Sequence, residues 1–366
     1  MSKTFTALGL MSGTSLDGID VALIKTDGVS IVERGPCETY PYHDGMQDLL
    51  RRAIQDAVSV DRRDDRTGVM AEAEAAMTFH HIEAVNSFSA KYDLNHSNID
   101  VIGFHGQTMI HRPEKHLTVQ LGLGDELSKA LGIPVVFDMR AADVAAGGQG
   151  APLVPVYHRA LAKNPPVAFV NIGGVANVTY VGVENELLAF DTGPGNALIN
   201  DWVQHHTGQF YDKDGTMASQ GRVSPHLLSA ALNHPYFSGR PPKSLDRNSF
   251  SSLNFGELNA EDGAATLVAF TVQTIANAAK WFPKPVHRWI ICGGGRHNKA
   301  IMAGLNLLLD KVESAEQAGF NGDGMEAEAW AYLAVRSMLG LPLTYPETTG
   351  IKYPQTGGVL VGRRKE

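Results

Sequence analysis

A chain of 366 residues, 43% of them hydrophobic and 19% charged, exceeds one ordinary core and suits two α/β domains of a globular protein. Its formal charge of −8 argues against nucleic acid or an anionic membrane as the main partner and favours a small ligand. Two cysteines, Cys37 and Cys292, exclude a disulfide framework and a Cys-rich zinc site; no apolar run could span a bilayer, and the first one breaks at Ser12-Gly13, too short for a signal, so a cytoplasmic location is expected.

Apolar residues flank Gly9 to Asp20 on both sides (Phe5, Ala7 and Leu8; Val21 to Ile24), so this stretch reads as the tip of a hairpin between two buried strands. Gly13 and Gly18 free the backbone to bend, Thr14 and Ser15 bring hydroxyls, and Asp17 and Asp20 bring hard oxygens. These suit a polyphosphate with Mg²⁺, although ordinary polar turns use the same residues. Gly13 and Gly18 have the G-x-x-x-x-G spacing, but Ile19-Asp20 stands where a P-loop needs Lys-Ser/Thr. Backbone N–H groups and hydroxyls must then hold any phosphate.

Val32 to Tyr42 is expected as a third strand, Asp44 to Asp56 as a first helix, and Met70 to Tyr92 as a longer helix whose apolar stripe packs into the core. Ile99 to Thr108 is a short buried strand ending in a polar tip. His105 and Gln107 sit there, beyond the strand's carboxyl end, where open α/β sheets bind ligands; a backbone partner for His105 is the alternative. A helix, Leu121 to Leu131, feeds a strand, Ile133 to Phe137, and Asp138 and Arg140 follow. Arg140 to Pro152 fits no regular pattern: its glycines beside Asp143 and Gln149 make either a functional loop or a domain junction. Asp143 and Gln149 would suit sugar hydroxyls.

A second round starts at Val167, with a strand to Ile172, a Gly173-Gly174 turn and a return strand Asn177 to Val183. Strand Leu187 to Phe190, a turn Asp191 to Asn196, a helix through His205 and a long helix Ala264 to Phe282 follow. Trp289 to Gly295 is a strand with a Gly-rich tip, followed by a helix at Lys299 to Leu309, and Tyr211 to Ser252 is expected as surface loops. Two halves of like order result, whose Gly-rich turns would face one another across a cleft for an anionic ligand.

Several blocks resemble the anhydro-N-acetylmuramic acid kinase family: Leu10 to Asp20, Phe104-His-Gly-Gln-Thr108, Asp143 to Pro155, Asn171-Ile-Gly-Gly174, Phe190 to Asn196 and Met325-Glu-Ala327. The match runs through nearly the whole chain in order. It implies duplicated ribonuclease H-like domains of the actin, hexokinase and heat-shock ATPase type with an ATP cleft between them, the first spanning 1–138 plus about 350–366 and the second 139–349. By that resemblance Gly13, Thr14, Ser15, Leu16, Asp17, Gly18, Ile19 and Asp20 hold the β- and γ-phosphates, Asn171, Gly173 and Gly174 form a second phosphate turn, and Gly293, Gly294 and Gly295 lie near the adenosine. Many superfamily members carry an Asp where this chain has Met11, so Mg²⁺ is left to Asp17, Asp20 or Asp191, through water.

The reaction implied opens the 1,6-anhydro bridge of the sugar with water while the released 6-oxygen takes the γ-phosphoryl of ATP, giving N-acetylmuramic acid 6-phosphate and ADP in peptidoglycan recycling. Asp191 would be the general base for the water, the alternative being a helix cap. Glu326, just inside a helix expected from Met325 to Leu339, would touch the sugar's anomeric end. Arg140 would pair with the lactyl carboxylate or form a structural salt bridge, and Asp143, Gln149 and His105 complete the substrate set. Family members resemble cytoplasmic dimers. The competing readings are another sugar or acetate-type kinase, a phosphatase of the same fold, or an ATP-switched binding protein.

Overall fold

The expected opening hairpin forms: Phe5–Met11 (β1) and Gly18–Thr26 (β2) pair antiparallel with Leu8 opposite Leu23, and Val32–Pro41 (β3) adds to β2. The computed structural model describes residues 3–13, 15–184, 186–246, 249–250, 253, 255–256 and 258–362. Thr14 of the expected phosphate turn lies outside them, as do Ser251 and Ser252 at the end of the expected loops.

Two units divide the chain, one made of residues up to Leu161 together with those from Gly324 onward, the other of Ala162–Asp323. The expected boundaries near 138 and 349 shift because Met325–Met338 (α11) packs on the first sheet and Pro155–Leu161 (α5) packs on α11. Gly9 in β1 and Gly103 in Val101–Phe104 (β4) explain the placement of α11. A Cβ at Gly9 would lie 1.7 Å from the Ala327 carbonyl oxygen, and one at Gly103 would lie 2.0 Å from that of Trp330. Only glycine lets the helix backbone approach this closely.

In the first unit β4 pairs parallel with β1, Val135–Phe137 (β7) pairs parallel with β4, and Val359–Val361 (β13) closes the edge antiparallel to β7, giving the order β13-β7-β4-β1-β2-β3. A separate hairpin, Gln107–Arg112 (β5) with Leu117–Leu121 (β6), follows β4. Helices Asp44–Ala57 (α1), Met70–Lys91 (α2) and Gly124–Leu131 (α3) cover this sheet's core. Met70, Ala73, Met77, Ala84, Val85 and Phe88 recur at helical spacing on α2 and are buried. Each larger one contributes about 1.5–3 kcal/mol by leaving water.

The second unit repeats the plan. Val167–Ile172 (β8), Val175–Val181 (β9) and Leu187–Pro194 (β10) form an antiparallel meander, β8 pairs parallel with Trp289–Cys292 (β11), and β11 pairs parallel with Val312–Ser314 (β12). Its order, β10-β9-β8-β11-β12, matches β3-β2-β1-β4-β7 strand for strand. The expected duplicated ribonuclease H-like α/β fold is therefore present as two like sheets. Helices Ala197–Thr207 (α6), Ala260–Asn277 (α9) and Lys299–Leu308 (α10) pack on it.

Two expectations about irregular stretches need correction. Arg140 to Pro152 contains a short helix, Ala141–Ala145 (α4), because Ala141 and Val144 are buried. The stretch from Tyr211 contains two, Thr216–Gln220 (α7) and Pro225–Leu232 (α8), which bury Ala218 and Ala231. The apolar pairs Leu227-Leu228 and Ala231-Leu232 were the overlooked helical signal. Among the described residues no helix is long and apolar enough to cross a membrane.

Candidate active site

The site residues gather in two sets, one in each unit. In the first, the turn after β1 is tied down from below. Ser12, fully buried, donates its hydroxyl to Gln107 Oε1 (2.6 Å) and accepts from the Tyr42 hydroxyl (3.0 Å), while Gln107 Nε2 donates to the Gly13 carbonyl (3.1 Å). Leu16 N–H donates to the Gly13 carbonyl (3.2 Å), with Leu16 at φ 57°, which keeps the loop tight. Leu16 and Ile19 are buried, so they offer a ligand backbone groups only. Ser15 donates to Asp17 Oδ1 (2.7 Å) on the exposed side, and Asp20, paired with Met11 across the hairpin, accepts from Thr39 Oγ1 (2.5 Å). Met11 takes the Trp330 indole N–H on its sulfur at 3.1 Å, so no charged group stands at this position.

His105 sits beside this turn. Its Nδ1–H donates to the Ser12 carbonyl (3.2 Å), its ring centre lies 4.5 Å from that of Trp330 with the planes tilted 40°, and its Nε2 receives Arg140. Burial, reinforced by Arg140, holds its pKa well below the ordinary imidazole value, so the ring is neutral and Nε2 keeps its lone pair. Arg140 also donates Nη1–H to the Gly150 carbonyl (2.9 Å) and lies 5.2 Å from the Trp330 ring centre. Burial pulls its guanidinium down to about 10, against the field of Glu326 and Asp143, and it stays protonated.

Asp143 takes a different place from the sugar-facing one expected. Its Oδ2 accepts Gly150 N–H and its Oδ1 accepts the Thr349 hydroxyl, both at 2.6 Å, so both oxygens close the Gly-rich loop from within. Gln149 is held through its backbone N–H on the Thr349 carbonyl (2.7 Å). Glu326 stands half-buried in the first turn of α11, which gives Arg140 an acidic neighbour.

In the second unit the turn Gly173-Gly174 is bonded to the start of α6. Gly195, Asn196 and Ala197 donate backbone N–H groups to Gly174, Gly173 and Gly174 at 2.9, 2.7 and 3.1 Å. Asn196 Nδ2 adds a bond to the Ile172 carbonyl (3.0 Å). At Gly293 a Cβ would meet Asn171 Oδ1 at 2.2 Å, so Asn171 and the Gly293 to Gly295 turn lie against each other. This end of the sheet thus brings together Asn171, Gly173, Gly174 and Gly293 to Gly295. Asn196 also belongs there and was named only as the end of a turn.

Asp191 lies inside β10 rather than at the head of a turn. The register slips between Asp191 and Gly193, and this bulge re-aims the strand at that point. Helix α6 begins at Ala197 behind Asn196, so Asp191 does not cap it. Its backbone N–H donates to the Lys243 carbonyl (3.0 Å), its carbonyl accepts the Tyr236 hydroxyl (2.5 Å), and its Oδ2 accepts Leu245 N–H (2.7 Å). Desolvation of the carboxylate raises its pKa from 3.8 to about 7, and the Leu245 bond opposes this only in part. Such a group can hold or release a proton at neutral pH. Tyr236 and Lys243 come from the stretch expected as loops, which hid them from sequence reasoning.

The family described as anhydro-N-acetylmuramic acid kinase matches residues 5–362. Relatives of that name include one from Rhodopseudomonas palustris (strain HaA2), 52% identical over 97% of this chain and 98% of its own, and one from Agrobacterium fabrum, 49% identical over 99% and 100%. Among solved structures, component A of the Acidaminococcus fermentans (R)-2-hydroxyglutaryl-CoA dehydratase aligns with a TM-score of 0.49 and 10% identity over 92% of this chain and 99% of that one. With identity near one half over almost its full length, the chain belongs to the anhydro-N-acetylmuramic acid kinase family.

Proposed function

We propose that the protein is an ATP-dependent kinase that opens 1,6-anhydro-N-acetylmuramic acid with water and phosphorylates its 6-oxygen, giving N-acetylmuramic acid 6-phosphate and ADP in peptidoglycan recycling. The observation that carries the chemistry is the Asp191 carboxylate: Oδ2 is fixed by Leu245 N–H, Oδ1 has no donor among the described residues, and the group is raised to about 7. Family membership supplies the substrate; Asp191 supplies the base.

Asp191 Oδ1 takes a proton from water as the water attacks the anomeric carbon. The bond from that carbon to the bridging oxygen breaks, and the oxygen keeps the electron pair and attacks the γ-phosphorus, releasing ADP. The turn from Gly13 to Asp20 cradles the β- and γ-phosphates with backbone N–H groups and the Ser15 hydroxyl, and Asn171, Gly173 and Gly174 form the second phosphate turn. Gly293 to Gly295 border the adenosine. Arg140, oriented by His105, directs its remaining N–H groups to the lactyl carboxylate, Glu326 contacts the sugar's anomeric end, and Asp143 with Gln149 shapes the loop beside it.

Asp17 and Asp20 present hard oxygens at the phosphate turn, and no cluster of three His, Cys, Asp or Glu able to hold a metal occurs among the described residues. That donor set fits Mg²⁺ held through water together with phosphate oxygens rather than in a protein cage. When bound, Mg²⁺ neutralises phosphate charge. The two units act as the two ATPase-like halves, and we place the protein in the cytoplasm as a homodimer, as the family resemblance implies. The test is ADP formation with a panel of free and 1,6-anhydro amino sugars: turnover should require the anhydro sugar. It is falsified if saturating 1,6-anhydro-N-acetylmuramic acid leaves the background rate while a free hexose raises it.

A further inference from the structure

We infer that Tyr236 and Lys243 are positioning residues that set the reach and orientation of the Asp191 carboxylate, an inference that rests on Asp191 acting as the base. The segment from Lys243 to Leu245 runs beside β10 and takes the backbone N–H and one carboxylate oxygen of Asp191, while Tyr236 takes its carbonyl. Lys243 C=O accepts Asp191 N–H at 3.0 Å, the Tyr236 hydroxyl donates to Asp191 C=O at 2.5 Å, and Leu245 N–H reaches Oδ2 at 2.7 Å. These three bonds fix the main chain on either side of Cα and one carboxylate oxygen, which leaves Oδ1 in one direction for water. β10 is the edge strand of its sheet and Asp191 still pairs with Asn177 on the inner side, so its outward backbone groups need a partner from outside the ladder.

The partner is itself held. Lys243 Nζ donates to the Tyr236 carbonyl at 2.8 Å and lies 4.2 Å from the Tyr236 ring centre, with the Trp281 ring at 5.7 Å. Tyr236 therefore touches Asp191 with its hydroxyl and Lys243 with its ring and carbonyl, which locks the two contacts in register. Behind it, Phe237 stacks on Phe250 at 5.6 Å and meets Phe270 of α9 edge-on at 5.7 Å, while Lys280 Nζ donates to the Phe237 carbonyl at 3.0 Å. The clamp is thereby anchored to the core of the second unit. A Tyr hydroxyl bonded to a main-chain carbonyl, and a lysine spent on a carbonyl and aromatic rings instead of a carboxylate, have no simpler use on a surface loop.

The experiment compares Tyr236→Phe, Lys243→Met, Asp191→Asn and the double variant Tyr236→Phe with Asp191→Asn, by steady-state kinetics with 1,6-anhydro-N-acetylmuramic acid and ATP from pH 5 to 9. Phe keeps the ring under Lys243 and removes only the hydroxyl, whose bond is worth roughly tenfold in rate if it is lost from the reacting geometry. The expected result is kcat down about tenfold in Tyr236→Phe with both KM values within about twofold, and an acidic limb moved to higher pH because the carboxylate loses part of its Leu245 bond. Tyr236 is the titrating group that faces Asp191, and the Lys243 side chain, with Lys280 beside it, acts on Asp191 only through Tyr236, so Lys243→Met should move the acidic limb in the same direction as Tyr236→Phe and by less. In the Asp191→Asn background the Tyr236 change should have no further effect on residual turnover. If Asp191→Asn abolishes turnover but Tyr236→Phe keeps kcat and the acidic limb, the positioning role is overturned and the base stands. A fully active Asp191→Asn overturns the base itself, and a Tyr236→Phe variant with equal, additive losses in both backgrounds marks a merely structural contact and overturns the inference.

Discussion

His105 Nε2 receives the Arg140 guanidinium at 3.3 Å from Nε and 3.2 Å from Nη2. A cation normally repels a histidine, but this ring is held neutral and its Nδ1–H is committed to the Ser12 carbonyl, so the lone pair is fixed toward Arg140. The same histidine thus links the floor of the turn from Gly13 to Asp20 to Arg140, the residues we propose for phosphate and sugar. The link follows from the Phe104-His-Gly-Gln-Thr108 block sitting at the end of β4.

Arg140→Lys cannot reproduce this fork. Lysine keeps one charge but loses the planar donors to His105 and Gly150 and, in the proposed role, to the sugar carboxylate. KM for 1,6-anhydro-N-acetylmuramic acid is expected to rise about tenfold or more, with KM for ATP changed far less. With an anhydro sugar that lacks the lactyl group, wild type and variant should converge; a persisting difference would place Arg140 elsewhere.

Gly13→Val tests the phosphate turn without breaking it. A Cβ at Gly13 would meet nothing nearer than Ser15 Oγ at 3.5 Å, so the fold accepts a side chain that a phosphate lying on the backbone would not. ATP affinity measured by calorimetry should fall at least tenfold while the thermal midpoint stays near that of the wild type. Unchanged affinity would remove the turn from the phosphate site.

Much of this was legible in the residues. The hairpins, the helix α2 and the repeat of strand order follow from apolar periodicity and glycine punctuation, both of which are local. What stayed hidden depends on partners distant in sequence: Asp143 looks like a ligand for a hydroxyl until Thr349, far along the chain, takes one of its oxygens. Asp191 reads as the head of a turn because Gly193-Pro194-Gly195 follows it, whereas pairing with β9 carries the strand on to Pro194. Tyr236 and Lys243 sit among prolines and polar residues, where no period marks a packed segment.

Turnover should depend on pH through Asp191. A base must be ionised, so kcat is expected to fall as pH drops through about 7, tenfold per unit below it. Stability should run the other way. The folded carboxyl, raised from 3.8 to about 7, binds a proton that the unfolded chain releases between those values, so its contribution is fully present below about 4 and is lost as pH rises to about 7. Asp191→Asn escapes that loss, and its thermal midpoint relative to wild type should be higher at pH 8 than at pH 4. An equal offset at both would mean an unshifted carboxyl.

The product should appear first as the α-anomer. The bridging oxygen occupies the β face of the anomeric carbon, and a single displacement by water arrives on the other. Proton NMR faster than mutarotation reads this directly. An initial β signal would indicate two inversions through a covalent intermediate.

The most direct measurement is kcat of Asp191→Asn with the affinities for ATP and anhydro sugar measured separately. Asn keeps the shape and removes the charge that accepts the proton. Both ligands should bind within about threefold of wild type while kcat falls by roughly two to four orders of magnitude. A folded variant that binds both ligands and turns over at a near-normal rate would contradict Asp191 as the base that activates water.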